Sequence, residues 1–192
     1  MTINAHARQA TDRLALPVGR TLVRVGVSAN ALTATGLAGT LAGVGLVVGG
    51  RPVSGGSLVA VASLLDALDG TVARLNGSPS AVGSFYDSVA DRVADAAILG
   101  GAAWLVRDDP LLFAAAVVAL AGALLTSYVR AKAEALGWQA TVGIIERPER
   151  VIILVLGIVL GQLGVALTVL AVGSVVTVAQ RVHAVLRQAR VK

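Results

Sequence analysis

Eight residues spread over 26 positions carry the chemistry open to this chain: Asp66, Asp69, Gly70, Ala73, Arg74, Gly83, Asp87 and Asp91. Asp66 and Asp69 are three apart, and Asp87 and Asp91 are four apart, so on helices each pair shares a face. The turn signal Asn76-Gly77-Ser78-Pro79 between them brings the two faces together. Up to eight carboxylate oxygens then surround one small volume, with no His or Cys among the donors. Hard oxygen ligands of this kind select Mg²⁺, Mn²⁺ or Ca²⁺ over zinc, and Mg²⁺ is expected where phosphate oxygens complete the coordination. Gly70, Ala73 and Gly83 leave room for a bulky polar ligand against the backbone. Arg74 is placed to pair with a ligand phosphate or with the aspartates themselves.

The elements that must position these residues are apolar. Of 192 residues, 56% are hydrophobic, and the mean hydropathy is +0.80. Apolar runs cover 31–48, 54–72, 81–106, 111–128, 144–163 and 165–184. Each approaches the ~20 residues that a helix needs to cross about 30 Å of hydrocarbon. An ionised side chain at bilayer depth costs about 2.5–3.5 kcal/mol on insertion scales. Four aspartates in two neighbouring spans therefore require a compensating cation. The fold expected is an all-α integral membrane protein in which 28–192 form six transmembrane helices. Residues 1–27 form a juxtamembrane segment ahead of them. Its arginines Arg8, Arg13, Arg20 and Arg24, with Leu14, Leu16, Val18, Leu22 and Val23, suit an amphipathic interfacial helix interrupted near Pro17. They do not suit a cleaved signal peptide. Ser28 is placed to cap the first span. With no cysteine there is no disulfide framework.

The net charge of +5 does not require a nucleic-acid partner. With the N-terminus cytoplasmic, fourteen of the sixteen basic residues fall on that side, and only Arg51 and Arg107 fall outside. This asymmetry places both termini and the aspartates at the cytoplasmic face, against anionic lipid head groups. His6 and His183 lie at polar ends and have no partner at metal-ligand spacing. Asp95 continues the Asp87/Asp91 stripe and reads as a packing or supporting acid rather than a metal ligand. The pairs Gly39/Gly43, Gly45/Gly49 and Gly157/Gly161 allow close helix contact.

The array Asp66-x2-Asp69-Gly70-x2-Ala73-Arg74-x8-Gly83-x3-Asp87-x3-Asp91 resembles the signature of the CDP-alcohol phosphatidyltransferases. The resemblance covers essentially the whole chain. It implies displacement of CMP from a CDP-linked lipid by an alcohol, at a cytoplasmic site in the cell membrane. Asp66, Asp69 and Asp87 would hold the metal, Mg²⁺ or Mn²⁺, on the diphosphate. Asp91 would complete the metal site and act as general base. Asp69, Gly70, Ala73, Arg74 and Gly83 would bind the CDP-lipid. Asn30 and Thr33 resemble the family's Asn-x-x-Thr element near the nucleotide, although Ala29 stands where many members have Pro. A homodimer is implied by the resemblance alone.

The basic residues Arg130, Lys132, Arg147, Arg150 and Arg181 lie at three helix ends that could converge to hold an acceptor phosphate. They equally suit ordinary cytoplasmic positive charge, partly self-paired as Arg130–Glu134 and Glu146–Arg150 at i,i+4. Ser127-Tyr128-Val129-Arg130-Ala131-Lys132-Ala133-Glu134 and Glu146-Arg147-Pro148-Glu149-Arg150 resemble stretches of actinobacterial phosphatidylinositol-phosphate synthases. That resemblance implies inositol phosphate as acceptor and CDP-diacylglycerol as donor. It does not say which of Arg147 and Arg150 faces the acceptor. Glycerol phosphate is the rival acceptor. A metal-cation transporter is a reading of a different class, and it predicts acids spread through the membrane depth rather than clustered at one side.

Overall fold

Glycine, proline and short polar side chains mark where each helix starts and stops. The computed structural model describes residues 15–77 and 80–190, and all regular structure among them is helical. Helix α1 (15–24) precedes α2 (Ala29–Val48), α3 (Pro52–Leu75), α4 (Ala81–Leu105), α5 (Pro110–Ala135), α6 (Arg147–Val159) and α7 (Leu163–Ala189). The Ser28 hydroxyl accepts from the Ala31 N–H at 3.2 Å and starts α2 as expected. The Asp109 carboxylate accepts from the Leu111 and Leu112 N–H groups, with Pro110 opening α5. The Glu146 N–H donates to Glu149 Oε2 at 3.0 Å at the start of α6.

Two expectations change. Residues 1–14 lie outside the described residues, so the interfacial reading is visible only from 15 onward; there α1 runs through Pro17 without the interruption expected. The span expected over 144–163 is helical only across the thirteen residues of α6, which rise about 20 Å at ~1.5 Å per residue. Pro148 and the preceding extended residues delay its start, and Gly161 at φ 69° ends it. Three helices, α2, α5 and α7, are long and apolar enough to cross a membrane. Helices α3 and α4 have the length, with 24 and 25 residues, but carry the acidic array.

The chain divides into two compact units, each described separately. One holds the described part of Met1–Thr40 with Val61–Ala94. Here α2 crosses α3 closely at Gly36, where a Cβ would stand 3.1 Å from both Ala62 O and Asp66 Cβ. The other unit holds Leu41–Ala60 and Asp95–Lys192. Its core sets Leu154 of α6 and Leu167 and Leu170 of α7 against Ala116, Ala119 and Ala123 of α5. Small side chains let α5 and α7 approach: a Cβ on Gly122 would meet Ser174 Cβ at 2.5 Å. Gly43 against Gly55 and Val59, and Gly157 against Ala166, are close contacts of the same kind.

The connection from α5 to α6 is pinned along one face of α7. The Thr177 hydroxyl accepts from the Ile145 N–H at 3.1 Å, and Arg181 Nε donates to Val142 O at 2.8 Å. Gln188 bonds both the N–H and the carbonyl of Gln139, at 2.9 and 2.6 Å. Backbone groups that regular structure would otherwise satisfy are thus taken by side chains of a neighbouring helix.

Candidate metal and nucleotide site

The last three turns of α3 and the first two of α4 build the acidic site. Asp66 and Asp69, one turn apart on α3, meet Asp87 of α4, with one carboxylate oxygen from each within 4.8 Å of the others. Asp66 and Asp69 are buried, 7% and 9% exposed. The close α2–α3 crossing at Gly36 shields Asp66. Thr33 of α2 donates its hydroxyl to Asp69 Oδ2 at 2.6 Å, with Ala29 O the longer alternative at 3.1 Å. The short, charge-assisted bond fixes the orientation of that carboxylate.

Beside the acids opens a cavity of about 270 Å³. Asn30, Thr33, Asp69, Gly70, Ala73 and Arg74 line one side of it, and Gly83 and Asp87 the other. The sequence pattern had named all eight. It had not named Ser80 and Ser84, which also line the cavity with Ala29, noted in the sequence only as a departure from the family pattern. Ser80 was findable as a helix cap: its hydroxyl accepts from the Gly83 N–H at 2.9 Å at the start of α4. Ser84 carries no signal beyond its place next to Gly83. Part of the turn between the helices, Ser78 and Pro79, lies outside the described residues.

Asp91 stands apart from the three-acid group. It lies one turn beyond Asp87 on α4, 19% exposed, with Oδ2 3.5 Å from Arg92 Nη1. Three clustered carboxylates, all oxygen donors and two of them buried, fit one hard divalent cation. Left without one, their mutual repulsion and desolvation oppose the fold.

The second unit holds the basic residues, and most have partners. Arg150 is buried, its Nη2 2.6 Å from Asp95 Oδ2, and Arg147 Nε lies 3.9 Å from Asp95 Oδ1. Asp95 is therefore the supporting acid expected, and the pairing Glu146–Arg150 is replaced by Asp95–Arg150. Glu146 turns instead to Arg181 Nη2 at 2.9 Å. Arg181 is also buried, donating to Thr126 O at 2.9 Å and to Val142 O. Arg130 pairs with Glu134 at 2.9 Å, as expected. Arg130 and Arg150 each lie within electrostatic reach of Arg181, so cations of α5 and α6 approach the one on α7. Lys132 does not join them. It is exposed and lies two residues past Arg130, about 200° around the helix.

Comparisons with known proteins agree with this geometry. The model of the CDP-alcohol phosphatidyltransferase family matches residues 26–185. A phosphatidylinositol phosphate synthase of Mycolicibacterium smegmatis is 37% identical over 93% of this chain and 86% of its own. A phosphatidylinositol phosphate synthase of Streptomyces avermitilis is 35% identical over 97% of this chain and 83% of its own. Two crystal structures of the Mycobacterium tuberculosis phosphatidylinositol phosphate synthase are similar at 34% identity and 90% coverage of this chain. The one with CDP-DAG bound has a TM-score of 0.81 over 94% of its chain; the one with manganese and citrate has 0.82 over 88%. A family match over residues 26–185, a range that includes the whole aspartate array, makes this chain a member of the CDP-alcohol phosphatidyltransferase family.

Proposed function

We infer that the protein makes phosphatidylinositol phosphate, transferring the phosphatidyl group of CDP-diacylglycerol to a hydroxyl of inositol phosphate and releasing CMP. The observation that carries this is the Asp66/Asp69/Asp87 cluster at the wall of a cavity lined by the rest of the family array. The relatives' shared name, at 35–37% identity, supports the acceptor.

In this reading α2–α7 cross the cell membrane six times, with both termini and the site on the cytoplasmic side. The lopsided basic residues support that orientation. Ile144, Ile145 and Leu160 extend the short α6 across the apolar layer. The protein works as a homodimer, as the family resemblance implies.

Asp66, Asp69 and Asp87, completed by Asp91, would hold Mg²⁺, with Mn²⁺ an alternative. Such an ion supplies charge neutralisation of the diphosphate and of departing CMP. Asn30, Gly70, Ala73 and Gly83 shape the nucleotide and diphosphate cavity, and Arg74 pairs with phosphate. Asp91 takes the proton of the acceptor hydroxyl as its oxygen bonds to the phosphorus bearing diacylglycerol and the bond to CMP breaks. Arg130, Arg147, Arg150 and Arg181 supply the field that holds the acceptor's phosphate.

CMP release by purified protein tests this, with inositol phosphate, glycerol phosphate, inositol and serine offered separately in Mg²⁺. Release with inositol phosphate alone is expected, and chelation of divalent ions should stop it. Release with glycerol phosphate instead would keep the aspartate chemistry and overturn the acceptor. No release from folded protein would overturn the reading.

Thr33→Val tests the support given to Asp69. The change removes the 2.6 Å bond but keeps the shape. Loss of such an outer partner typically weakens metal affinity about 10–100-fold. The Mg²⁺ concentration for half-maximal CMP release should rise accordingly; an unchanged requirement would show that Thr33 does not orient the ligand.

A further inference from the structure

Away from the aspartate cavity, α5 and α7 enclose an open apolar slot of about 590 Å³. Val118, Ala121 and Leu125 line its α5 side, and Val175, Ala179 and Leu186 its α7 side. These walls are not a core: Val175 is 54% exposed and Leu186 53%. Gly122 is small where the helices meet, against Ser174, while Val118, Leu125 and Leu186 are among the larger side chains that line the slot. The two helices run parallel. Leu112 packs beside Gly164, Gly122 beside Ser174, and Thr126 O beside Arg181.

Because the helices run parallel, cations that follow the lining on each of them lie toward the same end of the slot. Val118, Leu125 and Lys132 recur every seven residues on α5, so Lys132 continues the slot's own face. On α7, His183 lines the slot, Arg190 follows it by seven residues, and Arg187 lies four beyond it. Lys132, Arg187 and Arg190 are all exposed. An apolar trough thus has positive charge gathered beyond one of its mouths.

We propose that this α5–α7 slot binds an anionic phospholipid, its acyl chain along Ala121, Ala179 and Leu186 and its phosphate among Lys132, His183 and Arg190. Basic pockets between spanning helices at the membrane surface recognise anionic head groups in this way. A second copy of the chain fits less well. In a two-fold interface on this face, parallel helices would bring like charges together at one depth. The site makes separate sense of Lys132, whose face is turned from the cations that gather around Arg181. It stands whether or not inositol phosphate is the acceptor.

The test uses full-length protein in phosphatidylcholine vesicles doped in turn with phosphatidylglycerol or phosphatidylcholine carrying a photoactivatable acyl chain. Crosslinked peptides are then mapped. Peptides of α5 and α7 should be labelled several-fold more by the phosphatidylglycerol probe. His183→Gln with Arg190→Gln should bring that labelling down to the phosphatidylcholine level without changing CMP release or elution as a single species. Should the double variant fail to fold, raised salt on wild-type protein must erase the preference instead. Equal labelling by the two probes would overturn the proposal, as would a preference that survives both the substitutions and salt. The chain has no cysteine, so Ala179→Cys provides a unique reporter. A disulfide-linked dimer through it in vesicles would show that a second copy takes the slot, and would overturn the lipid assignment.

Discussion

Asp91→Asn should slow CMP release by about 10²–10⁴-fold, the usual share of a positioned general base, while CDP-diacylglycerol binding stays close to wild type. The separation follows from where Asp91 stands. Asp66, Asp69 and Asp87 form the close group, and Asp69 and Asp87 line the cavity, whereas Asp91 lies a turn further along α4 and lines none of it. Asn keeps the size of the side chain but removes its negative charge and its ability to accept a proton. Single-turnover CMP release and equilibrium binding of the donor lipid measure the two effects separately. Turnover near wild type would remove Asp91 as the base. A parallel collapse of donor binding would make it chiefly a metal ligand.

Asp95→Ala should be the most destabilising single change in the second unit. Arg150 and Asp95 have side chains only 4% and 5% exposed and meet at 2.6 Å. Removing one partner strands a buried charge, at a cost of about 3–5 kcal/mol. The thermal midpoint of the detergent-solubilised protein should fall well below wild type. Asp95→Leu combined with Arg150→Met removes both charges and restores apolar packing, and should recover much of the loss. An unchanged midpoint for Asp95→Ala would mean that the pair carries no stability. Failure of the double variant to recover would point to lost hydrogen-bond geometry rather than a stranded charge.

The aspartate site was legible because its chemistry is local in sequence. Spacings of three and four on two helices joined by a turn brought four carboxylates into view, and Asp66, Asp69 and Asp87 meet while Asp91 stands a turn apart. Thr33 needed the structure for its role. Its position 36 residues before Asp69 reveals nothing until α2 crosses α3 at Gly36. The basic residues were the least legible. Arg150 has Glu146 at ideal i,i+4 spacing, yet it pairs with Asp95, 55 residues away, because Glu146 opens the helix and is claimed by Arg181. Lys132, two positions from Arg130, looked equivalent in the sequence and faces elsewhere. Helix boundaries were readable from Ser28 and from the turn that begins Asn76-Gly77, while the brevity of α6 was not, since hydropathy continues past both of its ends.

The pins between α7 and the 139–145 connection also bear on the order in which the chain is assembled. Thr177, Arg181 and Gln188 belong to the final helix, yet they satisfy backbone groups laid down some 30 to 50 residues earlier. While the chain is being inserted, that connection has no such partners until α7 is in place. The acidic cluster is different, since every one of its carboxylates is synthesised by residue 87. The nascent chain therefore carries all three acids of the cluster early, and the anchored α5–α6 connection comes only with its last helix.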